Sequence, residues 1–139
     1  MLGTLLRPFL RKRSRKNFLL SLLNEINSNL EKCYVIDQRQ FITMDFEMSA
    51  WGEARHFSGV QFPEEVLDYA SSLEDFNRTF ADCRAFEETY TSSIDNKTLE
   101  AAKVLHAKKE ALEDKFRSVQ PKISAAQKAL RARMDKKFQ

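Results

Sequence analysis

Residues 63–138 decide the fold, and they read PEEVLDYASSLEDFNRTFADCRAFEETYTSSIDNKTLEAAKVLHAKKEALEDKFRSVQPKISAAQKALRARMDKKF. Apolar residues recur along this stretch at steps of three and four, which is the spacing of a helix with one buried face. The run Thr91–Asn96 interrupts the pattern with turn formers and helix N-caps. The sequence therefore predicts two long helices, residues 63–91 and 96–138, folded back on each other as an antiparallel, coiled-coil-like hairpin.

The two apolar stripes identify the side chains that we expect to pack between the arms of this hairpin. They are Tyr69, Leu73, Phe76 and Phe80 on the first arm and Leu105, Leu112, Phe116 and Ile123 on the second. If the turn centres near residues 94 and 95, residue n of one arm faces about residue 189 − n of the other. Lys109 interrupts the second stripe, and Pro121 is expected to kink that helix or to end it.

A third helix is predicted before the hairpin, over residues 17–40. Its apolar stripe consists of Leu19, Leu23, Ile26, Leu30 and Cys33. Leu20, Leu22 and Tyr34 widen this stripe, as in a helix that packs against two neighbours. The asparagines of this helix, Asn24, Asn27 and Asn29, lie off the stripe, so we expect them to be solvated.

The segment that follows is ambiguous between strand and helix. Ile42, Met44, Phe46 and Met48 alternate with other residues, which is a strand signal. A lone strand has nothing to pair with in this chain, however, and some of the same residues also fit a helical face. We therefore predict a short connecting helix, residues 41–51, and an all-α fold overall.

Charge is segregated along the 139 residues, whose formal net charge is +3. Residues 1–16 carry six bases and no acid, and residues 122–139 carry six bases and one acid. The remaining residues, 17–121, hold 11 bases and 19 acids. Two basic ends therefore flank an acidic body, and this asymmetry indicates an anionic surface as a partner.

The first basic stretch, residues 1–16, is also amphipathic, and we separate it from a helical domain that covers residues 17–139. Its apolar residues share one helical face, as in segments that lie on a membrane surface. We predict that it contacts anionic lipid together with the basic C-terminus. The predicted contact residues are Leu2, Leu5, Leu6, Arg7, Phe9, Leu10, Arg11, Lys12, Arg13, Arg15, Lys16, Lys128, Arg131, Arg133, Lys136 and Lys137.

Catalytic and metal-binding motifs are weak in this sequence. Glu53 and His56 form one Glu-x-x-His motif, whereas a ferritin-like di-metal site needs two such motifs and two further glutamates. Cys33 and Cys83 lack metal-ligand spacing; we expect buried side chains, with a single disulfide between them as the alternative. His106 lies beside Leu105 on the hairpin, and we expect it to have a structural and not a catalytic role. We therefore predict neither an enzyme nor a cofactor.

Two functional hypotheses follow from these patterns. The first is a non-enzymatic helical binding or scaffold protein that lies peripherally on an anionic membrane, on its cytoplasmic face. The second is a soluble, cytoplasmic coiled-coil adaptor that self-associates or binds another helical protein. A mitochondrial presequence over residues 1–23 is an open alternative for the N-terminus, since no acid precedes Glu25. Nucleic acid is disfavoured because leucine and phenylalanine interrupt the basic stretches.

Overall fold

The protein folds into four helices without a strand among the residues that the structure describes. This computed structural model describes the backbone of residues 2–56, 61–92, 95 and 97–138, and the side chains of residues 16–56, 61–92, 95 and 97–136. The helices are α1 (Leu2–Arg39), α2 (Ser49–Ala54), α3 (Glu64–Ser92) and α4 (Leu99–Phe138). The predicted all-α class is confirmed, as is the long antiparallel hairpin, which α3 and α4 form.

Three of the four salt bridges that join α3 and α4 among the described residues define the register of this hairpin. They join Lys108 to Asp82, Lys115 to Asp75 and Lys122 to Asp68, at N–O distances of 2.6, 2.7 and 3.4 Å. The two residue numbers of every pair add up to 190, one more than the 189 expected from the sequence. Successive pairs are seven residues apart, so they form a ladder along one side of the hairpin.

The core of the hairpin is aromatic where α3 and α4 are most deeply buried. Phe76 is fully buried, with its ring centroid 6.4 Å from that of Phe116 on α4. α4 begins at Leu99, where Thr98 caps it: the Thr98 hydroxyl accepts a hydrogen bond from the Ala101 amide at 3.0 Å. The start predicted at residue 96 was therefore three residues early. α4 continues through Pro121 without ending, because this exposed proline costs one hydrogen bond in a 40-residue helix.

A short connecting helix is present, but its predicted bounds, residues 41–51, are wrong. α1 ends at Arg39, residues 42–48 form no regular secondary structure, and the short helix α2 covers only Ser49–Ala54. We call residues 42–48 the strap. Its alternating pattern is genuine, since Phe46 is buried and its ring centroid lies 4.9 Å from that of Phe76.

Two asparagine side chains supply the pairing that a lone strand otherwise lacks. Asn29 of α1 accepts a hydrogen bond from the Glu47 amide at 2.9 Å and donates one to the Glu47 carbonyl at 2.8 Å. Asn77 of α3 binds the amide and carbonyl of Phe46 in the same way, both at 2.9 Å. The strap is therefore clamped between α1 and α3 by side-chain amides.

Glu25 of α1 holds the end of the strap by capping α2. Its carboxylate accepts hydrogen bonds from the amides of Ala50 and Trp51, at 2.9 and 3.1 Å, and from the Ser49 hydroxyl at 3.3 Å. Backbone amides at a helix N-terminus have no hydrogen-bond partner within the helix. A carboxylate there accepts their hydrogen bonds and interacts favourably with the positive end of the helix dipole. Glu25 is consequently buried although it is charged.

The direction of α1 relative to the hairpin follows from two side-chain contacts with α4. Gln127 donates a hydrogen bond to Asn27, and Gln120 donates one to Asp37 at 2.6 Å. The residue numbers of these pairs add up to 154 and 157, so α1 runs antiparallel to α4. Lys16 is then level with the end of α4, and Arg39 is level with residues 115–118 of α4.

Candidate anion-binding surface

The antiparallel direction of α1 brings the two basic stretches of the sequence to one end of the bundle. Five cationic side chains are exposed there: Lys16, Lys128, Arg131, Arg133 and Lys136. We call this set the basic pole. The predicted contact residues between Leu2 and Arg15 belong to α1 by their backbone, but their side chains lie outside the described residues, as does that of Lys137.

Apolar residues beneath the basic pole fix the ends of α1 and α4 to each other. Leu19 and Leu22 of α1 are buried in the same core cluster as Leu130 and Met134 of α4. Leu130 is fully buried, whereas its neighbour Arg131 is exposed. The pole is therefore the solvated face of a packed helix pair, and its cations sit on a scaffold with a defined geometry.

The electrostatics of the pole favour an anion. Asp135 is the single acid among residues 122–139. Cations in the last turns of α4 also match the negative end of the helix dipole, which is their ordinary structural role. Arg133 donates a hydrogen bond to the Gln61 carbonyl. Among the side chains that the structure describes, no acid forms a salt bridge with the other four cations of the pole.

Most of the side chains predicted to pack within the hairpin are buried. Phe80 and Leu105 are half-buried. The other six are buried: Tyr69, Leu73, Phe76, Leu112, Phe116 and Ile123. Lys109, which interrupts the stripe, turns its amine toward solvent and lies 3.6 Å from a carboxylate oxygen of Glu87.

The weak chemical motifs do not assemble into a site. Glu53 and His56 are both exposed, and no group of three or more metal-ligating side chains occurs among the described residues. His106 contacts Glu110 at 2.9 Å on the surface of α4. Cys33 and Cys83 are buried free thiols. Burial raises the pKa of Cys33 to about 12, with a further contribution from Asp37, which makes this thiol a poor nucleophile.

Sequence reasoning missed the polar side chains that organise the bundle. Asn29 was expected to be solvated, yet it is fully buried and also donates a hydrogen bond to the Tyr69 hydroxyl at 2.8 Å. A signal for this was present, because the buried stripe of α1 runs through Leu22, Ile26, Asn29, Cys33 and Ile36 at steps of four and three. An amide on such a stripe requires a buried partner.

Comparisons with known proteins add no assignment to this surface. The sequence matches no protein-family model, no curated protein and no solved structure at a significant level. Within the described part of the chain, none of the helices has the length and apolar character required to cross a bilayer.

Proposed function

We propose that this chain is a non-enzymatic helical binding or scaffold protein that associates peripherally with anionic membrane surfaces through its basic ends. The observation that carries the proposal is the pairing of Asn27 with Gln127 and of Asp37 with Gln120. This pairing brings residues 2–16 and residues 122–138 to the same end of the bundle. The basic stretches to which they belong have formal charges of +6 and +5. An opposite direction of α1 would have separated them.

The expected strength of this attachment is moderate and depends on salt. Each lysine or arginine near an anionic leaflet contributes about 1 kcal/mol, and the interaction decays over a Debye length of about 8 Å at physiological ionic strength. Insertion of the apolar face of Leu2–Leu10 would add a term that salt does not screen. A single amphipathic segment binds weakly, so the proposal requires both basic stretches.

Vesicle flotation tests the proposal with the full chain. We expect binding to vesicles that contain an anionic lipid, weaker binding at physiological than at low salt, and no binding to vesicles of neutral lipid. The variant Arg131→Glu/Lys136→Glu should lose most of the binding. Its matched control, Lys97→Glu/Lys103→Glu, makes the same charge change at exposed positions near the opposite end of α4 and should bind as the parent chain does.

Either of two results would contradict the membrane proposal: no binding to anionic vesicles at low salt, or an equal loss in the pole variant and its control. The first would favour the second candidate, a soluble helical adaptor that binds itself or another helical protein. A specific observation supports that candidate as well, since the distal part of the hairpin extends beyond α1 with its apolar residues only half-buried.

A further inference from the structure

The face of α4 against which α1 packs continues beyond the end of α1. Arg39, the last residue of α1, is level with residues 115–118 of α4, whereas α4 begins at Leu99. Gln40 has a φ of 61°, the left-handed conformation that turns the chain away from the helix axis and into the strap. About 16 residues of α4, or roughly 24 Å, therefore project past α1.

Burial decreases along α4 beyond this boundary, and Leu112, at 4% exposed, is the last buried side chain in that direction. Phe116, Val119 and Ile123, which lie alongside α1, are 6%, 2% and 0% exposed. We call residues 84–92 and 99–111 the hairpin tip. None of the described side chains in the tip is fully buried, and its apolar residues, among them Phe86 and Leu105, are half-buried or exposed. The tip is therefore a pair of helices on which no third helix packs among the described residues.

A cavity of about 230 Å³ lies next to the end of α1, where a third helix packed on the tip would begin. Phe80, Cys83 and Leu112 give it an apolar lining, and Glu87 and Glu113 are among its charged residues. Phe41 also lines it and is 73% exposed, an unusual exposure for so large an apolar side chain. The cavity thus opens the apolar interior of the hairpin directly beyond the end of α1.

At the opposite end of the molecule, α1 extends past the end of α4. Lys16 is level with the end of α4, so the preceding 14 residues of α1, from Leu2 to Arg15, extend past it for about 21 Å. The sequence of this segment has apolar residues on one helical face, namely Leu2, Leu5, Leu6, Phe9 and Leu10. One end of the protein therefore has a helical backbone that extends past α4, and the other has a pair of helices, with half-buried or exposed apolar residues, that extends past α1.

We propose that residues 2–15 of one copy of this chain occupy the hairpin tip of a second copy. The segment would lie in line with the second copy's own α1, in the same antiparallel direction to α4, and would thus continue an interface that the fold already uses. Its 14 residues match the 13 residues that the tip contributes from α4. Contact of this kind joins different surfaces on the two copies, so the assembly is head to tail and remains open to further growth.

This inference goes beyond membrane attachment and does not depend on it. The two processes compete for the same segment, however, because a helix face that is seated in a tip cannot also lie in lipid. We therefore expect anionic vesicles to shift the chain from assemblies to vesicle-bound monomers if both proposals hold. If only the assembly forms, such vesicles should leave its mass unchanged.

Two complementary variants of the full chain test the head-to-tail contact. The segment variant, Leu6→Asp/Phe9→Asp, places two acids on the apolar face, and its control, Thr4→Asp/Ser14→Asp, places them on the polar face. The tip variant, Glu87→Lys/Glu113→Lys, adds cations around the cavity that repel the basic segment. Its control, Glu88→Lys/Asp114→Lys, makes the same change at neighbouring exposed positions that do not line the cavity.

Light scattering after size exclusion reports the outcome, with circular dichroism as the check that each variant is folded. The parent chain and both controls should show a mass above the 16.2 kDa monomer that rises with concentration. Each variant alone should be monomeric. An equimolar mixture should form a dimer and nothing larger, because the segment variant retains an intact tip and the tip variant retains an intact segment.

Three results would overturn the proposal. The parent chain could remain at the monomer mass at every concentration, which would exclude self-association. The tip variant could keep the parent's mass, in which case the segments associate with each other and not with the tip. Finally, the two folded variants could fail to associate on mixing, as expected if the copies met through one shared, two-fold symmetric surface.

Discussion

Replacing Asn29 by alanine should destabilise the protein far more than the same substitution at an exposed asparagine of α1. The Asn29 side chain makes three hydrogen bonds, two to the backbone of Glu47 and one to the Tyr69 hydroxyl, at 2.8–2.9 Å. Each contributes about 1 kcal/mol, and a buried group that loses its partner carries a penalty of similar size or larger. We therefore expect the free energy of unfolding to fall by about 3 kcal/mol.

Urea unfolding, followed by Trp51 fluorescence and by helical circular dichroism, measures this change. With a urea dependence of about 2 kcal/mol per M, a loss of about 3 kcal/mol lowers the transition midpoint by about 1.5 M. The matched control is Asn24→Ala, which removes an exposed asparagine from the same helix and should change stability by less than about 0.5 kcal/mol. If both variants lost similar, small amounts, the clamp would not be a major source of stability and our reasoning would be refuted.

Three further predictions test other parts of the fold. Glu25→Ala removes the cap of α2, so it should lower the free energy of unfolding by about 2 kcal/mol and shift Trp51 emission to the red. Glu25→Gln should retain part of the cap, and equal behaviour of the two variants would argue against capping. A double-mutant cycle on the exposed pair Lys115 and Asp75 should give a coupling below about 1 kcal/mol, and a value above 2 would make the ladder a main stabiliser. Burial holds the pKa of Cys33 in the folded state near 12, above the ordinary thiol value of 9.0, so the unfolded chain loses this proton first and stability should fall as pH rises above about 9. Slow alkylation of the native thiol at pH 8 is the companion result, and fast alkylation without unfolding would contradict it.

The hairpin could be predicted from sequence because its determinants are local and periodic. The break between the arms is visible in the sequence, and its centre alone predicts a register within one residue of the one that the salt bridges show. Apolar periodicity likewise indicates which faces of α3 and α4 are buried. These features need no knowledge of distant contacts.

The strap could not be predicted in the same way, because its partners are distant in sequence. The alternation of Ile42, Met44 and Phe46 indicated a strand, and the argument against it assumed that only another strand could satisfy its backbone. Asn29 and Asn77, which lie 18 and 31 residues from the groups they bind, satisfy it instead. No single-sequence pattern links an asparagine in a helix to a particular peptide group so far away.

The direction of α1 was also beyond sequence reasoning, and the basic pole depends on it. Apolar stripes show that a helix has a buried face, but either direction along the hairpin buries that face equally well. Direction is decided by specific contacts such as Asn27 with Gln127, and by a strap that must reach from Arg39 to α2. The candidate surface therefore emerges from tertiary structure, although each of its charges is visible in the sequence.

The salt-bridge ladder has a consequence for how the hairpin distinguishes its correct register from a wrong one. A slip of seven residues would bring Lys115 opposite Asp82 and Lys122 opposite Asp75, so two of the three pairs would survive. Because most of the charge pairs re-form after a shift of seven residues, the charges cannot select the register alone. Selection therefore falls to contacts that are specific to one register, such as that between the rings of Phe76 and Phe116, whose centroids lie 6.4 Å apart. The register should accordingly persist at salt concentrations that screen the ladder.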